Sequence, residues 1–157
     1  MRAARTAYVG SLQWEAVRKV CLPRGKIVPK NVILAAALPA SAERLFDMYL
    51  DPKMHAAFTG AAVTISAKSG SPFQAFDGML TGMMLHVVPK RLIVQTWRSV
   101  NWPSDALDSI LNLTFFDTAD GARVELTHIN VADEDFAGVS QGWEKYYWTP
   151  WRAYLTQ

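Results

Sequence analysis

FQAFDGMLTGMMLHVVPKRLIVQTWRSVNWP, residues 73–103, alternates apolar and polar positions between short turn signals, and that alternation decides the fold class. Phe73–Phe76, Met79–Val87 and Leu92–Ser99 read as strands, because a side-chain period of two lines one face of an extended chain. Asp77-Gly78, Val88-Pro89-Lys90 and Pro103-Ser104-Asp105 supply turn chemistry between and after them. Downstream, Leu107–Phe115 and Val124–His128 repeat the pattern across Asp120-Gly121, and upstream Val63–Ile65 does so before Ser69-Gly70. Consecutive hairpins of this kind predict an antiparallel sheet.

Outside the sheet the period changes. Asn31–Leu38, bounded by Pro29 and Pro39, reads as a first strand. Ser41 then caps a short helix with Leu45, Phe46, Tyr49 and Leu50 as its apolar stripe, and Asp51-Pro52 opens a second that carries Met54 and Phe58 and ends near Gly60. After Asp133-Glu134-Asp135, which read as helix-start caps, Val139, Gly142, Trp143, Tyr146, Tyr147, Trp151, Tyr154 and Leu155 fall at helical spacing and form a core-facing aromatic stripe. Pro150 lies inside this run and is expected to kink or break the helix, because it lacks a donor and crowds the preceding turn.

Phe73, Asp77-Gly78, Gly82, Val88-Pro89, Ile93-Val94, Trp97-Arg98, Trp102-Pro103 and Gln141-Gly142-Trp143-Glu144-Lys145-Tyr146-Tyr147 occur in one order at tight spacing. With Phe46, Asp51-Pro52, Ala57-Phe58-Thr59, Gly70, Leu113–Phe115 and Glu125-Leu126, this set resembles the C-terminal domain of the activator of heat-shock protein 90 ATPase family over roughly residues 30–156. That family sits in the START-like (SRPBCC, birch-pollen-allergen-like) superfamily. The resemblance implies an α+β helix-grip fold: a curved antiparallel sheet of about six or seven strands wrapped on a long C-terminal helix. Two short helices are expected after the first strand, and a cavity between sheet and helix. Two departures stand out. Ser71-Pro72 replaces a glycine pair frequent in the family, and Pro72 is expected at a sheet edge. The two-domain eukaryotic activators also carry a separate N-terminal docking domain, which about 30 residues are not expected to supply.

Half of the 157 residues are apolar, enough for one domain with a sizeable core. No apolar run reaches the ~18 residues of a membrane span. A lone cysteine, Cys21, excludes an internal disulfide and a zinc framework. Residues 1–30 hold seven basic side chains and one acid, whereas the remainder holds nine basic and thirteen acidic. The expectation is a basic, poorly ordered lead over residues 1–26 and a mildly acidic globule over 27–157, in the cytoplasm and without nucleic-acid binding.

No histidine belongs to a metal-binding or catalytic motif, and no phosphate loop or nucleophile elbow is present, so neither cofactor nor metal is expected. His128 shares a strand face with Val124 and Leu126 and points to the core; His86 aligns with Met84 and Gly82; His55 is expected to be solvated. For His86 and His128 a satisfied core histidine and a cavity hydrogen-bond donor both remain open. Gln95 shares the inward face with Ile93 and Trp97, and its buried amide finds either backbone partners or a ligand. The candidates for a ligand cavity are Met54, Phe58, Met84, His86, Gln95, Trp97, His128, Trp143 and Tyr147. Strand 79–87, apolar on both faces, is either doubly covered or a docking patch; Met83, Leu85, Lys90 and Arg98 are the candidates for a partner surface. Three functions follow: a non-catalytic carrier of a small hydrophobic molecule, a module engaging heat-shock protein 90 or another chaperone or protein, and, as the alternative, a cavity enzyme of the cyclase or dehydratase type with His86 or His128 as base.

Overall fold

The computed structural model describes residues 30–157; the basic lead expected over residues 1–26 lies outside the described residues. Strand β1 (Lys30–Leu38) leads into helices α1 (Ala42–Leu50) and α2 (Pro52–Thr59), then β2 (Val63–Thr64), β3 (Pro72–Ala75), β4 (Leu80–Val88), β5 (Leu92–Ser99), β6 (Ser109–Thr118) and β7 (Gly121–Val131). The strands form one seven-stranded sheet in the order β1-β7-β6-β5-β4-β3-β2. Every pairing is antiparallel. The expected α+β helix-grip architecture is the one observed.

Local chemistry starts the helices where the sequence indicates. The Ser41 hydroxyl accepts from the Arg44 amide, and Asp51 accepts from the amides of Lys53 and Met54, with Pro52 at the first helical position. The Asp117 carboxylate at the end of β6 accepts from the Ala42 amide at 2.8 Å, which ties the start of α1 to the sheet. Pro72 begins β3 beyond the reach of β2, whose two residues pair only with Ala75 and Gln74. Its missing donor therefore costs no ladder bond on that side.

Strand β4 departs from simple alternation. Met84 pairs with Gln95, but His86 pairs with Val94, so one extra residue, Leu85, sits on β4 between those two pairs. Such a bulge shifts the side-chain period by one. Met84 points inward and is buried, whereas the inward orientation expected for His86 is overturned: it faces solvent. The doubly apolar look of β4 has the same origin, with Met83 and Leu85 exposed outside. Leu107 is likewise outside β6, exposed in a loop that Arg98 organises.

The last helix follows a 3₁₀ turn (Asp133–Asp135) and comprises α3 (Phe136–Trp143), a π-helical turn (Glu144–Trp148) and α4 (Thr149–Leu155). Helical turns thus run past Pro150, where a kink or break was expected. The wide π turn, in which the Thr149 amide bonds the Glu144 carbonyl five residues back, gives the proline ring room against the turn before it. Val139, Trp143, Tyr147, Trp148 and Trp151 on this helix share one core with Ile93, Leu111, Leu113, Val124 and Leu126 of the sheet.

At Gly82 a side chain would collide with the Thr96 backbone carbonyl across the β4–β5 pairing. Gly82→Ala should lower the stability by about 1–3 kcal/mol, as overpacking does. Urea denaturation of the two proteins checks this, and an unchanged midpoint would mean that β5 yields freely.

Candidate functional site

A pocket of about 500 Å³ opens between the β3–β4 turn, the end of β5 and one face of the last helix. The turn contributes Phe76, Met79 and Leu80; β5 and the loop after it contribute Trp97, Ser99 and Asn101. From the helical segment come Asp135, Gly138, Val139, Gln141, Gly142, Trp143, Lys145, Tyr146 and Tyr147. Gly138 and Gly142 both line the opening; the Asp135 carboxylate occupies the place a side chain would take at Gly138, whereas at Gly142 a side chain would meet only the Tyr146 ring, at 3.6 Å. Phe76 adopts φ 51°, left-handed backbone that a bulky side chain rarely takes, and its ring packs edge-on to Tyr146 and Tyr147 at 6.0 and 5.8 Å. That strain is held by the Asp77-Gly78 turn, whose φ angles are 54° and 85°.

Polar bonds fix the rim. The Trp102 indole N–H donates to the Asp135 carboxylate at 2.8 Å, pinning the β5–β6 loop to the helix start. Arg98 donates to the carbonyls of Ala106 and Pro103 and pairs with Asp108 at 3.0 Å. Lys145 lies 4.8 Å from the Tyr146 ring centroid, the cation of the pocket wall.

Behind the pocket wall lies a buried polar group of four residues. His55, expected in solvent, is fully buried: its ring stacks on Phe58 at 5.0 Å, and Phe58 stacks on Trp151 at 4.3 Å. On the short α2, His55 and Phe58 take the inward face at positions i and i+3, which turns Met54 outward to 46 % exposure. The His55 Nδ1 lies 2.7 Å from the Tyr49 carbonyl. A carbonyl only accepts, so Nδ1 carries the proton and Nε2 is a bare acceptor. The Tyr49 hydroxyl donates to the Gln95 amide oxygen at 3.5 Å. Tyr147 packs against both, its ring 6.5 Å from Tyr49 and 5.7 Å from His55.

A second buried pair joins Ser109 and His128. The Ser109 hydroxyl donates to the Trp97 carbonyl at 2.7 Å, so the His128 Nε2, 2.6 Å away, must be the donor to Ser109. The proton arrangement is the reverse of a serine activated by a histidine base. Burial lowers the His128 pKa to about 3. Burial lowers that of His55 to about 4, the Tyr49 carbonyl opposing the shift in part.

Of the residues expected at a cavity, Trp97, Trp143 and Tyr147 line the pocket. Phe58, Met84, Gln95 and His128 are buried in the core rather than on its surface, and Met54 and His86 face solvent. Phe76, Met79, Tyr146, Asn101 and the two glycines were not anticipated. A glycine inside a helix costs about 1 kcal/mol against alanine, so Gly142 carried a readable signal; the left-handed Phe76 carried none. Of the expected partner surface, Met83 and Leu85 are exposed on the outer face of β4. Lys90 instead pairs with Asp47 at 2.5 Å and Glu43 at 3.4 Å, and Arg98 is engaged as above. Among the described residues, no group of three or more His, Cys, Asp or Glu is placed to hold a metal, and no helix is long and apolar enough to cross a membrane.

Residues 39–156 match the profile of the family described as Activator of Hsp90 ATPase homolog 1-like protein. The chain is 30% identical over 128 residues to the human Activator of 90 kDa heat shock protein ATPase homolog 1, covering 82% of this chain and 36% of that protein. It therefore spans about a third of the length of that relative. Among solved structures, an HSP90 activator from Plasmodium falciparum aligns with TM-score 0.72 and 18% identity over 80% of this chain and 96% of that one. The Aha1 dimer from Colwellia psychrerythraea aligns with TM-score 0.68 and 14% identity, over 80% and 96%. At these identities the two structures speak to the fold alone.

The two buried histidines make stability depend on pH. Their folded pKa values, about 4 and about 3, lie below the ordinary 6.5, so the unfolded chain binds more protons as the pH falls. Their contribution is complete above pH ~6.5 and is lost as the pH falls towards 4 and then 3, on the order of a few kcal/mol for each histidine. Denaturant titrations between pH 7.5 and 4 should show this loss, and His128→Gln, which keeps the donor to Ser109, should make the curve shallower. A wild-type curve flat over that window would contradict the burial of both rings.

Proposed function

The chain belongs to the Activator of Hsp90 ATPase homolog 1-like protein family, and on that premise we propose that it acts without catalysis, holding a small hydrophobic ligand in the pocket and engaging a chaperone of the 90 kDa heat-shock class, or another protein, through the outer face of β4. A cytoplasmic setting is part of the same proposal.

The pocket itself carries the ligand reading. Its volume, about 500 Å³, falls within the ~300–1,000 Å³ usual for small-molecule sites, and its wall is aromatic and apolar with a few polar groups at the rim. A cavity enzyme would need a basic nitrogen open to that space. Neither His86 nor His128 lines the pocket, and the Ser109 proton is already committed to a backbone carbonyl. The partner reading is supported by Met83 and Leu85, exposed side by side on a face where neighbouring Thr96 and Val94 carry no charge. Methionine adapts to irregular partner surfaces. Lys90 and Arg98 are spent within the fold and are better read as supports of that face than as contacts.

Native mass spectrometry of protein purified from its own host should find a bound species on the order of a few hundred daltons, the size such pockets take. Gly142→Leu should empty it without unfolding the protein, because a Cβ at this position meets only the Tyr146 ring at 3.6 Å and the helix gains propensity. Wild-type protein recovered empty would sink the ligand reading. In a chaperone ATPase assay, Met83→Lys with Leu85→Lys should remove at least about half of the stimulation, as charges placed at an apolar contact do; absence of stimulation by the wild type would sink the chaperone as the partner.

A further inference from the structure

We propose that the pocket takes an amphipathic carboxylic acid, its aromatic or aliphatic body on the apolar wall and its carboxylate beside Gly142, within reach of Lys145 and Gln141. This rests on the pocket reading above and names the chemical class of the ligand.

Phe76, Met79, Trp97, Trp143, Tyr146 and Tyr147 make most of the lining a surface for an apolar body. Its polar members are few: Ser99, Asn101, Asp135, Gln141 and Lys145. Two of these are already engaged. The Ser99 hydroxyl accepts from the Asn101 backbone amide at 3.2 Å. One Asp135 oxygen accepts from the Trp102 indole, and the other lies against Gly138, 2.6 Å from where a Cβ would stand. Asp135 also stands at the start of α3, where the helix dipole compensates a negative charge.

The two charges on the lining are therefore not equivalent. That of Asp135 is compensated within the protein. Lys145 makes no ion pair among the described residues, and its ammonium rests on the Tyr146 ring, 4.8 Å from the centroid. Arg44, Lys53, Lys68 and Arg91 likewise lack a carboxylate partner there, but none of them borders this pocket.

Helix geometry places the free cation beside free space. Gln141 and Lys145 stand one turn apart, at i and i+4, with Gly142 between them in sequence. A helical side chain leans towards the N-terminus and covers the turn before its own Cα, so Lys145 leans back towards Gly142. At Gly142 a Cβ would meet only the Tyr146 ring, at 3.6 Å. The ammonium only donates, and the Gln141 amide adds two further donors. A carboxylate only accepts, and its two oxygens can take a donor from each side chain. An amine would meet Lys145 with like charge, and a neutral apolar ligand would leave these donors to water.

The test uses three probes with one ring system: 2-naphthoate, its neutral isostere 2-naphthamide, and protonated 2-naphthylmethylamine. They are titrated by calorimetry near neutral pH into the full chain and into Lys145→Met, Lys145→Arg and Gly142→Leu. Because Lys145 is exposed, the acid should bind about two- to fivefold more tightly than the amide at low ionic strength, with the amine weakest. The preference should shrink at about 0.5 M salt, where exposed charges are screened. Lys145→Met should bring acid and amide to equal affinity, Lys145→Arg should keep the preference, and Gly142→Leu should bind none of the three. Equal affinities in the wild type, or a preference that survives in Lys145→Met, would overturn the assignment; the pocket reading would stand, since the amide still binds. An acid preference that persists in Gly142→Leu would place the acid outside the pocket and overturn it as well. Failure of all three probes to bind the wild type would remove both readings.

Discussion

The last helix holds the fold together through a continuous aromatic block. Trp143 lies 4.6 Å from Tyr147 and 5.6 Å from Trp148 by ring centroids, Trp148 lies 6.2 Å from Trp151, and Phe58 from α2 closes the block on Trp151 at 4.3 Å. Each ring buries on the order of 150–250 Å². The block can form on one helix only if the helix continues through Pro150, and the π turn makes that possible. Shifting Trp148 and Trp151 relative to Trp143 would uncover part of the inward face of the sheet; α1 covers another part, with Phe46 edge-on to Phe115 at 5.7 Å.

The pocket lies at the end of this block, where it meets glycine. Beside Gly142 the helix leaves space that no side chain fills, and the turn at Phe76 and the loop at Asn101 stand around the opening. The strongest polar interactions of the region hold these rims, not the interior: Trp102 to Asp135, and Arg98 to its loop. The charges of Asp135 and Arg98 are thereby satisfied locally, and what faces the pocket is mostly aromatic. The core, by contrast, retains unpaired neutral polar atoms in His55, Gln95, Trp97, His128, Tyr147, Trp148 and Trp151, of which Trp97 and Tyr147 also line the pocket.

Sheet, helix pair and final helix were legible in the residues because they rest on local rules. A period of two, turn chemistry at Asp77-Gly78, caps at Ser41 and Asp51 and the aromatic stripe of the last helix are properties of neighbouring residues. The order of motifs from Phe73 to Tyr147 added the family and, with it, the way the helix sits in the sheet. Trp97, Trp143 and Tyr147 could be placed near a cavity on that basis.

Tertiary structure decided everything that depends on two distant segments at once. The bulge at Leu85 is a feature of how β4 pairs with β5, and it reversed the side on which His86 lies; alternation along β4 alone carries no mark of it. His55 is buried because α2 is covered by Trp151 from the far end of the chain, and a polar residue on a short helix gives no sign of such a cover. Arg98 and Lys90 read as free cations until the carboxylates of Asp108 and Asp47 were brought beside them. The sequence by itself determined the elements, their order and the family, because these follow from short-range periodicity and motif order. Which polar groups are satisfied, which way a bulged strand faces and where space remains were left to long-range packing, because each depends on atoms that the chain brings together only once it is folded.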